Sequence, residues 1–257
     1  MTPPADFRAR VAAALGGALL AEARVGRPAG AEQLLDAAES MGAVGELAPD
    51  DLKARGLDDL AAAGPAGVPI RAIAAALLTP GDRPAVRRNA TVLARIAPAA
   101  DFGTVAVSLA AGVLALDLLH FDLTTALLRL HQTLLEDAPI LVLRRLSPLP
   151  IEAGAPAGTD AGATLQLAIS ALAEAGDVEA VCAAVLRRQP AATAAVALAA
   201  ALAGVRGGDS ALAPELYLEL AAGARVAATA AALADRAASH QRLDDRALLP
   251  VAGSDPA

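Results

Sequence analysis

Apolar and polar positions along this chain alternate at helical spacing. Phe102, Val105, Ala106, Leu109, Val113 and Leu116 recur three or four residues apart, as do Leu165, Ala168, Ile169 and Leu172, and again Leu123, Leu127, Leu130 and Leu134. Residues so spaced share one face of an α-helix. Asp101, Asp122 and Asp177 each stand just ahead of an apolar stretch, where a carboxylate accepts from exposed N–H groups and meets the positive end of a helix. Pro84, Pro190 and Pro214 fit first-turn positions, where the missing N–H costs nothing. The pattern predicts helices over 5–25, 31–40, 50–62, 68–78, 84–97, 102–119, 122–136, 161–175, 177–187, 190–205, 212–221, 224–238 and 241–248. No strand-like alternation of comparable length competes with them.

Punctuation between these stretches sets the organisation. The segment SPLPIEAGAPAGTDAG, 147–162, is dense in Pro and Gly and predicts a surface loop. The tail 249–257 is expected to fray. No internal period of about 30 to 50 residues is found, which argues against a helical-repeat array. The expected architecture is all-α, a compact multi-helix bundle forming a single domain over 1–248 with the 147–162 loop inside it.

Composition sharpens this. Apolar residues make up 56% of the chain and aromatic residues only 2%, so the core must be built from Ala, Leu and Val, in helices that approach closely. A mean hydropathy of +0.49 raises the question of a membrane. The most apolar windows, 103–119 and 191–205, fall short of the roughly 18 residues a span needs, lean on alanine, and the first contains Asp117. No membrane segment is expected. Met1-Thr2-Pro3-Pro4 lacks the basic start of a secretory leader, so the expected location is the cytoplasm. A net charge of −7 and a pI near 5.0 argue against a nucleic-acid partner. Cys182, among Val181, Ala183, Ala184 and Val185, reads as a buried small hydrophobe, and one cysteine excludes an internal disulfide. Lys53 is the only lysine. Basic charge is otherwise carried by arginine, which reads as codon usage in a high-GC bacterium.

The stretch RRQPAATAAVALAAALAG, 187–204, poses the functional question. Its second half suits very close packing, and its first half sits at a helix entrance, where ligand-binding side chains are often found. Together with RARVAAALGGALLAEA (8–23), AGVPIRAIAAALL (66–78), the order of elements through 161–208 and the sequel Leu212-Ala213-Pro214-Glu215 to Leu220, it resembles the ADP-ribosylglycohydrolases. The resemblance covers most of the chain except about 26–63. It implies a compact all-α fold and an activity that removes ADP-ribose from protein side chains or related conjugates with two bound Mg²⁺. Such a metal pair needs several hard oxygen ligands, mostly carboxylates. The positions where the resemblance puts aspartates hold Ala21, Ala191 and Thr193 instead, with Glu22 the only acid near the first. The family's Thr-Asp-Asp-Thr cluster has no counterpart. Asp50-Asp51 and Asp58-Asp59 read as helix-terminal and solvated charge. The middle motif keeps Gly67 and Arg71 but has Ala66 for its asparagine. The expectation is a pseudoenzyme with no resident metal. Arg71, Glu22 and Asp209 remain as candidate ligand-binding residues, and ADP-ribose or a related nucleotide, a protein partner or a second copy of the chain as candidate partners.

Other constellations are weaker. Asp117 and His120 are three residues apart near Asp122, and His131 follows; a metal or general-base role competes with helix-end capping there, and capping is favoured. His240 is expected to be exposed. Ser108, Ser147 and Ser170 lack a nucleophile-elbow context. GVRGGDSA, 204–211, follows a helix and reads as its C-cap, not as a phosphate loop. Two further readings stand beside the pseudoenzyme: an active hydrolase with a rearranged magnesium site using Glu22, Asp50, Asp51 or Asp209, and an all-α interaction scaffold unrelated to that family.

Overall fold

A computed structural model describes residues 2–28, 30–59, 64–97, 100–137 and 160–247. Its helices are α1 (Phe7–Val25), α2 (Ala31–Val44), α3 (Pro49–Ala54), α4 (Gly64–Arg71), α5 (Ile73–Leu78), α6 (Arg83–Ile96), α7 (Phe102–His120), α8 (Leu123–Asp137), α9 (Ala161–Glu174), α10 (Val178–Arg188), α11 (Thr193–Gly207), α12 (Pro214–Leu218) and α13 (Gly223–Ala247), with a 3₁₀ turn at Gly208–Ser210. No strand occurs among the described residues.

The central pair is α1 against α11. A Cβ placed on Gly204 would lie 2.3 Å from the Ala13 carbonyl group, and one on Gly17 would lie 3.2 Å from the Ala200 carbonyl oxygen. As one helix is followed upward the partner is met downward, so the two run antiparallel. Backbone contact at this range is open only to residues without bulk, which explains the Ala and Gly runs in both. Dispersion replaces the missing large side chains: the shared core takes in Val11, Leu15, Leu198, Leu202, Leu34, Ile73, Leu77, Leu114 and Leu165. Tyr217 of α12 packs its ring on the bare backbone of Gly16.

Helix ends follow two devices. Asp82, Asp101, Asp122, Asp160 and Asp177 each accept from backbone N–H groups of the turn that follows. At C-termini, arginine forks serve the orphan carbonyls. Arg10 donates to Leu118, Val205 and Arg206, Arg206 to Leu172 and Ala175, and Arg236 to Gly42 and Ala43. Whatever fixed the arginine content, the fold uses the planar fork at helix ends that lie between elements.

Several expected boundaries move. The 50–62 helix stops at Ala54, because Gly56 takes a φ of 80° and the Gly56 and Leu57 amides turn back to Lys53 and Leu52, the bonding of a Schellman stop. The 68–78 helix divides at Ala72, whose N–H reaches Pro69. The 190–205 helix begins at Thr193, and Pro190 lies in the turn before it, not in the first turn. The two final helices are one, α13. Phe102, expected on the buried stripe of α7, is 65% exposed, since it stands at the helix start beyond the packed region. Of the 147–162 loop only 160–162 lie among the described residues, and they already cap and begin α9. The 249–257 tail lies outside them. Helix α7 is long and apolar enough to cross a membrane, with mean hydropathy 2.0, but 78% of that window is buried within the protein, as befits a core helix.

Candidate functional site

The α1–α11 register decides which of the sequence candidates meet. Carried four residues on from Gly17 and Ala200, it sets Ala21 level with Val196, one turn inside the start of α11. Ala21, Ala191 and Thr193 therefore gather at one end of the central pair. Ala21 is buried, Thr193 half-buried and Ala191 exposed. The entrance itself is bare: Ala192 is the N-cap of α11 and gives no side-chain hydrogen bond. Local turns serve the chain there, from the Ala192 amide to Gln189 and from the Thr193 amide to Ala191.

Glu22 stands at the same end of α1, and its Oε2 accepts the Ala31 N–H at 2.8 Å. It thus caps α2, whose own N-cap is Gly30. Asp209 is exposed on the 3₁₀ turn at the opposite end of α11, about 20 Å from Thr193 along the helix. The neighbouring Gly208 lies against Ala9 and Arg10, at the start of α1. Glu22 and Asp209 do not converge. Asp51 is bound by Arg55 at 2.9 Å within α3 and its C-cap.

Arg71 is wholly buried. Its Nε and Nη2 donate to Gln33 Oε1 at 2.9 and 2.7 Å, and its Nη1 donates to the Leu57 carbonyl. Burial drags the guanidinium down to about 10, while the charges of Asp58 and Asp59 pull it back up. It remains a cation at neutral pH, tying α4 to α2 and to the turn after α3, and it turns no face to solvent.

The Asp117 group is a junction. Asp117 Oδ1 accepts from Arg83 Nη1 at 3.2 Å and Arg129 Nε at 3.1 Å, and Arg83 Nη2 lies 3.1 Å from Oδ2. Arg83 also donates to the Thr133 hydroxyl and to the Arg129 carbonyl. Burial pushes the Asp117 carboxyl up, against the pull of Arg129 and Arg83. His120 Nε2 donates to the Pro80 carbonyl at 2.5 Å. Asp122 caps α8. These side chains lock α6, α7 and α8 together. Cys182 is buried, and burial lifts its thiol to about 11.

The donor set can now be tested against a magnesium pair. Among the described residues no three His, Cys, Asp or Glu side chains are placed to hold a metal ion. At the α1–α11 end the only side-chain oxygen on the three matched positions is the neutral Thr193 hydroxyl, and the adjacent Glu22 is engaged by Ala31. Two octahedral, oxygen-seeking cations do not fit this set.

A concave feature lies elsewhere. Pro49 and Lys53 of α3, Asp58 of the following turn and Val92, Arg95 and Ile96 of α6 line a cleft of about 430 Å³. Neither α3 nor α6 packs against α1 or α11. Sequence reasoning missed this cleft. Its only sequence trace is spacing, Pro49 with Lys53 and Val92 with Arg95 and Ile96, each a helical face.

A solved structure described as an "ADP-ribosylglycohydrolase-related protein complex" matches this chain with a TM-score of 0.76 at 19% identity, over 91% of this chain and 100% of that one. No family profile matches the sequence, and no curated protein does. At that identity the likeness establishes the fold, an all-α bundle of the ADP-ribosylglycohydrolase type. A scaffold of some different helical architecture is thereby set aside.

Proposed function

We propose that this chain is a non-catalytic protein on the ADP-ribosylglycohydrolase fold, acting by binding. The observation that carries the reading is the chemistry of the α1–α11 end, where Ala21, Ala191 and Thr193 occupy the positions at which the resemblance places carboxylates. Support comes from the acids nearby. Glu22 is engaged in capping α2, and Asp209 lies at the other end of α11, so neither rebuilds a ligand set. A fold hosts an activity only through its site. Here the framework is kept, and the groups that would orient a ribose diol and an attacking water through metal ions are replaced. The ligand is ADP-ribose or a related nucleotide, or else a protein partner or a second copy of the chain, in a bacterial cytoplasm.

Isothermal titration with ADP-ribose, with and without Mg²⁺, tests this. Binding indifferent to Mg²⁺ is the expected result. Binding strengthened by Mg²⁺ would overturn the non-catalytic reading in favour of an active hydrolase with a displaced carboxylate set. Silence in both titrations would remove the nucleotide and leave recognition of a protein.

A further inference from the structure

We infer that the α3–α6 cleft is a binding site for a small organic anion, a compact acidic head carried on an apolar body. The cleft, about 430 Å³ and broadly open to solvent, combines an apolar lining with a few convergent polar groups, the make-up of small-molecule sites. Pro49, Val92 and Ile96 supply the apolar wall, and Lys53 and Arg95 the cations. Both cations are exposed, and what sets them apart is that the two line one apolar-walled cleft. Through most of the molecule arginines are engaged: Arg10, Arg71, Arg206 and Arg236 with backbone carbonyls, and Arg24, Arg55, Arg83, Arg129 and Arg225 in ion pairs. The Lys53 and Arg95 side chains make no ion pair or hydrogen bond among the described residues, yet they meet over one cleft in a chain of net charge −7.

Asp58 is the one acid in the lining. Two cations against this one carboxylate leave the cleft a positive surplus. An ammonium and a guanidinium together donate charge-assisted hydrogen bonds to a carboxylate, sulfonate or phosphate head. The apolar wall then requires a body behind that head, which excludes a bare inorganic anion as the preferred occupant. The inference does not rest on the function proposed above, because the helices of the cleft do not pack on α1 or α11.

The probe is 8-anilinonaphthalene-1-sulfonate, an aromatic sulfonate, read by its own fluorescence in a chain without tryptophan. Saturable binding at one site is expected, with Lys53→Gln/Arg95→Gln weakening it at least about tenfold, as loss of charge-assisted bonds requires. Each single variant should give part of that loss. Arg8→Gln, an exposed arginine outside the cleft, should leave binding intact, and the uncharged N-phenyl-1-naphthylamine should not distinguish parent from double variant. Circular dichroism checks that these surface changes leave the fold in place. Absence of a saturable site, or equal binding by parent and double variant, would overturn the inference.

Discussion

Gly204 shows most directly what a single residue contributes to this molecule. Its missing side chain lets the α11 backbone sit on that of α1, and no neighbouring side chain can swing away to admit a methyl, since the clash is with the Ala13–Ala14 backbone itself. Gly204→Ala should therefore destabilise the protein by about 3 kcal/mol, read as a fall in the denaturation midpoint with urea. Gly17→Ala, where the nearest approach is 3.2 Å, should cost about 1 kcal/mol. Equal effects would mean that the two helices are not held at this spacing. Cys182 gives a second test at the same scale. Its thiol is buried and lifted to about 11, so a disulfide reagent at pH 8 should modify it no faster than the protein unfolds. Rapid labelling of the native state would contradict its place in the core.

At the scale of elements, the aspartate caps were legible in the sequence and the helix stops were less so. Asp101, Asp122 and Asp177 were readable because an N-cap depends on the next few residues alone. The stop at Gly56 and the late start of α11 depend on turns closed by the backbone, and Glu22 caps α2 from another helix. Such tertiary caps leave no local signal. The same holds for the arginine forks: composition showed the arginines, and only the packing shows which carbonyls they serve. Arg206→Met should cost about 1 to 2 kcal/mol through the carbonyls of Leu172 and Ala175 at the end of α9, whereas a role in composition alone predicts no change.

The caps also fix a pH dependence. The Thr104 backbone N–H, joined by its hydroxyl, holds Asp101 below the usual 3.8. A carboxyl lowered on folding adds stability that is present above 3.8 and is lost as pH falls through the lower folded value. Asp101→Asn keeps the cap without the charge. It should match the parent near neutrality and lose less stability on acidification below 3.8, as followed by thermal melts across that window. A parallel acid limb in both proteins would remove Asp101 from the account.

For the whole molecule, the order of helices and the alanine runs carried the fold, because close packing writes itself into residue size along entire helices. The proposed site was legible only as a substitution. Ala21, Ala191 and Thr193 could be named from the sequence, but their gathering at one end of α1 and α11 follows from an antiparallel register that no spacing reveals. The separation of Glu22 from Asp209 follows from the same register. The α3–α6 cleft left only the helical spacing of each wall in the sequence, since its walls come from two helices far apart in the chain, joined by Asp58 in a turn.

The central claim, that this fold here lacks a dinuclear metal site, is tested most directly by titrating the protein with Mn²⁺, an oxygen-seeking stand-in for Mg²⁺, and following the free-ion signal by electron paramagnetic resonance. The account predicts no more loss of signal than a control protein of equal net charge produces. Stoichiometric capture of Mn²⁺ at micromolar concentration would contradict it.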